Sequence, residues 1–526
     1  MSTTPPGAAA LRVAPRGKTP MKDSFSPERK GLSGPDGPLA GRPDRPGGLL
    51  RNSLFLAVSR GLQILTGLFV LVALARYLPV ASFGEYSYLS ALAQAVMTLS
   101  YFGIQDVVIR EIARDKSRAA GHLGAGLVLR LGLSLAAGAA LGVVAIFSDL
   151  SPLGRACLFL AFGIELFRSL TMLAYAAFQA FERMGYEPLL SGLQALFTLA
   201  FVGGAIFLNL GLLGVFAALL AALALHFLVT ALVAAKKFVR PSLDFSRREL
   251  WKLFTTAAVI GIGIIIQMNL MRAGALMLKW LGSVEEVAYF QAAHELIMKV
   301  QVFPQALMLA VFPVLARLLL SDPAEAEKLY RAIFRYILLL GLPVSLYLAV
   351  FPEPATRLLF GEKYLPAAGV LRITGLAMVP LALDMLLNKV LIAMNRQRYA
   401  AWYAALALGL AVLLNLALIP RFGPEGAAVA ALAAYAGLLG FSMYFAARHG
   451  IRPKAGKDLL RAGLASLAAC GAAYALAPRS LPVAAAALGL VYFSVLAALR
   501  AFPKKDMLEL KAALRSRTPN RRPPTT

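Results

Sequence analysis

The sequence is poor in charged side chains, cysteine and histidine for its length. Charged residues make up 15% of the 526 positions, whereas soluble domains carry roughly 25%. The two cysteines, Cys157 and Cys470, lie in apolar segments without ligand-like spacing, so neither a disulfide framework nor a metal site is predicted. The four histidines are scattered, and the sequence has no nucleophile–base constellation and no Walker-type phosphate loop. It therefore predicts neither an enzyme nor a bound cofactor.

Apolar residues dominate instead, with 59% hydrophobic residues and a mean hydropathy of +0.70. About fourteen apolar segments follow one another, most of them long enough to cross a bilayer with roughly 20 residues. The sequence therefore predicts an all-α membrane protein of about 14 transmembrane helices. The segments lie near residues 53–75, 83–103, 121–147, 153–180, 187–208, 211–235, 252–280, 286–313, 329–352, 364–393, 399–419, 425–446, 459–477 and 481–500.

The net charge of +26 would favour nucleic acid as a partner of a soluble protein. Here the basic residues collect in alternate connections and at both tails, which follows the positive-inside rule and favours membrane lipids over nucleic acid. This pattern predicts that both termini are cytoplasmic. The connections assigned to the cytoplasm hold Arg110, Arg114, Lys116, Arg118, Lys236, Lys237, Arg240, Arg247 and Arg248, and the opposite set holds Arg76, Arg155, Lys279, Arg357, Lys363, Arg421 and Arg479.

An internal repeat relates the first six segments to the next six. The stretch 77–86 resembles 280–289, Arg183-Met-Gly-Tyr186 resembles Arg396-Gln-Arg-Tyr399, and Gly211-Leu-Leu-Gly214 resembles Gly423-Pro-Glu-Gly426. Because each repeat holds an even number of helices, both insert the same way round, which predicts two lobes related by a pseudo-twofold axis along the membrane normal. The predicted division is a disordered basic cytoplasmic arm over 1–50 (Met21 is an alternative start), an N-lobe over 51–240, a C-lobe over 247–450, two further helices over 458–501 and a basic cytoplasmic tail over 502–526.

Four stretches resemble motifs of a known transporter family. Leu74–Tyr86 is similar to the end of helix 1 in polysaccharide and O-antigen flippases, and Phe102–Ile112 to their segment after helix 2. Leu359–Tyr364 and Asn415–Ala427 are similar to two of their recurrent stretches. The resemblance covers about residues 51 to 500, and implies alternating access and export of undecaprenyl-pyrophosphate-linked sugar units across the bacterial inner membrane. Where many relatives carry an acidic residue early in helix 7, this chain has Arg272-Ala-Gly274.

Charged residues inside the predicted helices are the candidate site residues, because each costs roughly 2.5–3.5 kcal/mol at the bilayer centre. Arg60, Arg130, Arg272 and Arg372 have no helical neighbour of opposite charge, and we expect them to line a cavity that binds an anionic headgroup. Snorkelling toward headgroups is the alternative for Arg60. The other charges, Glu165 with Arg168, Glu295 with Lys299, and Asp384, are open to two interpretations, helix pairing or ion coupling.

Polar residues also recur at helical spacing. Gln291, His294 and Gln301 lie along one face of the segment 286–313. Such a face suits a hydrated groove that contacts sugar hydroxyls, and interhelical hydrogen bonding is the equally weighted alternative.

Three functions fit these features. The first is a flippase for lipid-linked oligosaccharides in O-antigen or exopolysaccharide synthesis, with polysaccharide polymerase machinery as an expected partner. The second is a cation-coupled multidrug exporter or a lipid II-type flippase of the same fold. The third is a membrane scaffold for polysaccharide assembly, which the cost of so many buried charges disfavours.

Overall fold

A computed structural model describes residues 46–183, 185–394, 397–448, 456–476 and 481–501, and only the backbone of residues 46–60. Residues 1–45 and 502–526, which hold nearly all of the two predicted arms, lie outside these ranges. Within them the protein is helical, without a strand. The first helix begins at Pro46, slightly before the predicted lobe boundary at residue 51.

The N-lobe contains α1 (Pro46–Tyr77), α2 (Val80–Tyr101), the short α3 (Ile104–Arg114), α4 (Ala119–Phe147), α5 (Pro152–Ala180), α6 (Tyr186–Phe207) and α7 (Gly211–Lys237). The C-lobe contains α8 (Arg247–Leu270), α9 (Ala273–Leu281), α10 (Val284–Val300), α11 (Val302–Ser321), α12 (Pro323–Val350), α13 (Pro352–Phe360), α14 (Ala367–Ala393) and α15 (Gln397–Arg448). Helices α16 (Gly456–Leu476) and α17 (Leu481–Ala498) pair with each other and pack on α12, where Arg335 and Asp458 form an ion pair of 2.9 Å.

Every predicted apolar segment coincides with helix. Nine helices within the described ranges are long and apolar enough to cross a membrane, or ten if the bent α8 is one span. The multi-pass, all-α architecture predicted from the sequence is confirmed, and the number fourteen remains a prediction. Helix α15 combines two predicted segments and is kinked at Gly423.

Two predicted segments are each broken into two helices. The segment 286–313 breaks at Gln301, because Pro304 in the first turn of α11 cannot donate the backbone hydrogen bond that a continuous helix requires. The segment 252–280 breaks at Met271 and Arg272. There the Arg272 guanidinium donates to the carbonyl oxygen of Met268 at 2.6 Å, which satisfies a group left free at the end of α8.

The predicted repeat is visible in the backbone at one pair of glycines. Gly211 and Gly423 occupy equivalent places in the two repeats and both adopt a left-handed conformation, with φ of 64° and 54°. Each lies beside a residue of the first repeated stretch of its own lobe, which is 77–86 in the N-lobe and 280–289 in the C-lobe. The Tyr77 hydroxyl accepts from the Gly211 N–H at 2.9 Å, and the Glu286 carboxylate lies against Gly423.

The two ends of the helical bundle are joined by different contacts. At the end we call the linker end, formed by residues 115–118 and 238–249, Arg118 and Glu249 form an ion pair of 2.5 Å. At the opposite end, called the clasp end and formed by residues 76–84, 282–284 and 358–364, the lobes approach closely. A Cβ atom on Gly84 of α2 would lie only 2.0 Å from the carbonyl oxygen of Val284.

Candidate substrate cavity beside helix α2

Helix α2 is the central element of the candidate site. It packs against α4 and α5 in its own lobe and against α8, α9 and α10 of the C-lobe. Side chains on α2 can therefore face both lobes, and several of them are polar. Ser90, Gln94, Thr98 and Tyr101 follow one another at intervals of four, four and three residues, so they lie along one side of the helix.

A cavity of about 150 Å³ opens beside α2 within the N-lobe. Its charged residues are Glu165 and Arg168 of α5, whose side chains form an ion pair of 3.0 Å. The Tyr101 hydroxyl donates to Glu165 at 3.2 Å, so the carboxylate has two partners although it is 3% exposed. The uncharged polar side chains of the wall are Tyr86, Ser90, Gln94, Gln194 and Thr198.

Arg272 of the C-lobe contacts one residue of the cavity wall, Gln94. Its Nε and Nη2 atoms donate to the Gln94 side-chain oxygen at 3.2 and 2.8 Å, and its Nη1 atom donates to Met268. The guanidinium is also within electrostatic range of Glu165, Arg168 and Glu295. A cation from one lobe is thus bound to a wall residue of a polar cavity in the other.

A second ion pair lies on α10, between Glu295 and Lys299 at 3.2 Å. The Lys299 side chain also runs along α1, with its Cε atom 3.5 Å from where a Cβ on Gly67 would be. Five of the predicted site residues therefore come together where the lobes meet: Glu165, Arg168, Arg272, Glu295 and Lys299.

The other predicted site residues lie elsewhere. Arg130 is 1% exposed and donates to the carbonyl oxygens of Ser169 at 2.5 Å and Tyr101 at 3.5 Å. Arg372 is exposed on α14. The side chain of Arg60 is outside the described residues.

Three further candidates belong mainly to the C-lobe interior. Asp384 is buried and accepts a hydrogen bond of 2.5 Å from the Ser442 hydroxyl. His294 is buried between the rings of Phe290 and Tyr435. Gln301, next to the break after α10, donates to the Met378 carbonyl oxygen at 2.6 Å, whereas Gln291 remains partly exposed.

Gln94 is a site residue that charge alone does not identify. Its signal is present in the sequence, because Ser90, Gln94, Thr98 and Tyr101 repeat the helical spacing of the polar face predicted for α10. None of these side chains is charged, so a search for the most costly membrane residues passes over them.

Sequence and structure comparisons agree with this architecture. The family model described as polysaccharide biosynthesis protein matches residues 49–319, and the MatE model matches residues 259–417. An uncharacterized membrane protein of Methanocaldococcus jannaschii is 24% identical over 211 residues, which are 40% of this chain and 42% of that protein. The chain thus spans less than half of that relative.

Two solved structures show the same fold. The lipid II flippase MurJ in an inward closed conformation matches with a TM-score of 0.70 and 14% identity, over 86% of this chain and all of MurJ. An inward-facing multidrug resistance MATE family transporter of the MOP superfamily matches with a TM-score of 0.58 and 18% identity, over 76% of this chain and 98% of that one. The chain shares the fold of these two transporters, and it belongs to the polysaccharide biosynthesis protein family, whose model matches just over half of its length.

Proposed function

We propose that this protein is a flippase that moves undecaprenyl-pyrophosphate-linked oligosaccharides across the bacterial inner membrane, for O-antigen or exopolysaccharide synthesis. The observation that carries the proposal is the double hydrogen bond from Arg272 of the C-lobe to Gln94, a residue of the N-lobe cavity wall. A guanidinium binds phosphate oxygens through paired planar hydrogen bonds, which suits a pyrophosphate headgroup. Such a headgroup is too polar to cross bare hydrocarbon unaided.

The composition of the cavity supports a sugar as the group next to the phosphate. Hydroxyl and amide side chains line the wall together with one internally paired carboxylate. These groups can donate to and accept from sugar hydroxyls without adding net charge beside Arg272. We assign the helix-pairing role to the two ion pairs, Glu165 with Arg168 and Glu295 with Lys299. In each pair the two opposite charges lie three or four residues apart and neutralise each other.

Arg130 takes a structural role in this proposal, because its guanidinium is engaged by carbonyl oxygens inside the N-lobe. Arg60 and Arg372 remain candidate headgroup ligands during movement of the substrate. The orientation with both termini cytoplasmic, and a polysaccharide polymerase as partner, are further parts of the proposal, and they rest on the charge pattern and the family.

A cation-coupled multidrug exporter is the second candidate. The MatE match over residues 259–417 favours it, as does Asp384, a buried carboxylate whose described hydrogen bond comes from the neutral Ser442 hydroxyl. A carboxylate in that position could bind a proton or cation during transport.

The test is transport by the purified protein in proteoliposomes. Three substrates are offered: an undecaprenyl-pyrophosphate oligosaccharide, lipid II, and a cationic dye with an imposed Na⁺ or H⁺ gradient. We expect the lipid-linked oligosaccharide to change leaflet fastest and the dye to remain untransported. Gradient-driven dye export without oligosaccharide movement would replace the proposal with the exporter, and preference for lipid II would reassign the substrate.

A further inference from the structure

Two side-chain hydrogen-bond connections, which we call rungs, join α2 of the N-lobe to the break between α8 and α9 of the C-lobe. In the first, Arg272 donates twice to the Gln94 oxygen. In the second, the Asn269 side-chain amide donates to the Thr98 hydroxyl at 3.2 Å. Gln94 and Thr98 are four residues apart and Asn269 and Arg272 three apart, so the two rungs lie one helical turn from each other.

The Gln94 rung is built from unequal partners. The three nitrogen groups of Arg272 are satisfied by one amide oxygen and one backbone carbonyl, both of them neutral. A phosphate carries the charge opposite to that of the guanidinium and accepts two parallel bonds from its fork, whereas the Gln94 amide offers one neutral oxygen. A phosphate that reached Arg272 would therefore replace Gln94 as the better acceptor.

The position of Gln94 also allows such a replacement. Gln94 is partly exposed and lines the cavity, whereas the neighbouring Thr98 is 1% exposed. A headgroup entering the cavity meets the Gln94 rung, while the Thr98 rung stays covered.

We infer that Gln94 is a positioning residue that holds Arg272 and links the lobes until the anionic headgroup displaces it. This inference rests on the proposed function, because it requires Arg272 to bind a phosphate. Displacement removes one of the two rungs between α2 and the α8–α9 break. Headgroup binding and lobe separation are then coupled by a single exchange of acceptors.

The experiment measures lobe separation by distances between paired spin labels in the purified full-length protein, with Cys157 and Cys470 replaced by alanine. One label pair replaces Arg114 and Lys328, and the other replaces Asp149 and Glu353; all four side chains are exposed, two in each lobe. Farnesyl pyrophosphate is the anionic probe and farnesol is its uncharged control. Gln179→Ala is the matched control variant, because it also truncates a glutamine of the N-lobe, one that donates to Glu187 in its own lobe and does not line the cavity.

We expect farnesyl pyrophosphate, and not farnesol, to increase the separated population of the parent protein. Gln94→Ala should raise that population roughly three- to tenfold without the probe, which is the range provided by a bond of ordinary net strength. The probe should then add little. Gln94→Glu should lower the separated population and abolish the probe's effect, because a carboxylate forms an ion pair with Arg272 that the probe does not displace.

Two results overturn the inference in distinguishable ways. If Gln94→Ala matches the parent and the probe still separates its lobes, Gln94 does not link the lobes, and the proposed function stands. If Gln94→Ala separates the lobes but the probe has no effect on the parent, the rung exists without anion exchange, and the proposed headgroup site at Arg272 fails as well.

Discussion

Lys363 and Arg76 hold the two lobes together at the clasp end by a reciprocal exchange of hydrogen bonds. The Lys363 ammonium donates to the carbonyl oxygens of Arg76 at 2.9 Å and Leu78 at 2.6 Å. The Arg76 guanidinium donates in return to the carbonyl oxygens of Leu359 at 2.9 Å and Leu358 at 2.5 Å. Each cation thus binds backbone of the opposite lobe, an arrangement that joins the lobes at this end.

Replacing Lys363 by methionine should open the clasp end. The variant removes two donors and leaves the carbonyl oxygens of Arg76 and Leu78 to water, so thiol labelling of a cysteine at Val80 should become faster by roughly three- to tenfold. Arg357→Gln is the matched control, because Arg357 loses only a local ion pair with Glu362. Equal labelling rates in the two variants would show that the Lys363 bonds do not close this end.

Replacing Gly84 by alanine should prevent full closure of the same end. The new methyl group would lie 2.0 Å from the Val284 carbonyl oxygen, a backbone atom that cannot move aside alone. We expect the distance between spin labels at Asp149 and Glu353 to lengthen and transport to fall. Gly142→Ala is the control, since no atom lies within 4 Å of its added methyl group. A Gly84→Ala protein with parental distances would contradict the close packing.

Replacing Arg130 by alanine should lower the amount of folded protein rather than its activity per molecule. The substitution empties a buried site and leaves the Ser169 carbonyl oxygen without its guanidinium donor, at a cost of about 1–3 kcal/mol. The measurement is the midpoint of thermal unfolding in detergent, compared with transport per folded molecule. Normal stability with abolished transport would return Arg130 to the headgroup site predicted from the sequence.

The turn between α3 and α4 should withstand mild acid. The Ser117 hydroxyl and backbone N–H both donate to Asp115, and these bonds hold the pKa of its carboxyl below the ordinary value. Because the folded pKa is lowered, the turn is fully stabilised above the ordinary Asp pKa of about 3.9 and loses this contribution as pH falls through the lower folded value.

A spin label at Lys116 measures this turn directly. Its mobility should stay constant from neutral pH down to the ordinary Asp pKa and rise only at lower pH. Asp115→Ala should be mobile throughout. A rise in mobility at higher pH in the parent protein would contradict the assignment.

Much of the fold follows from local sequence features. Apolar length predicts the helices, and the repeated glycines Gly211 and Gly423 mark equivalent changes of chain direction, because both have a positive φ. The break before Pro304 also had a sequence signal, which the apolar periodicity concealed. The break at Arg272 had none of comparable strength, because it depends on a side chain bonding back to Met268.

The site is less predictable, because its geometry depends on contacts between helices that are far apart in the sequence. The spacing of three residues is enough to predict the ion pair between Glu165 and Arg168, because both lie on one helix. Arg130 and Arg272 look alike in the sequence, and only the contacts between helices separate an arginine bound by carbonyl oxygens from one that meets Gln94. Charge identifies candidates, whereas the partners across the lobes decide their roles.

The central claim is that Arg272 binds the anionic headgroup, and the most direct measurement is oligosaccharide flipping per inserted molecule by Arg272 variants in proteoliposomes. We expect Arg272→Ala to slow flipping per folded and inserted molecule by roughly ten- to hundredfold, the loss caused by removing charge-assisted hydrogen bonds. Arg272→Lys should restore only part of the rate, because it returns the charge without the planar fork. Parental flipping by Arg272→Ala would contradict the account.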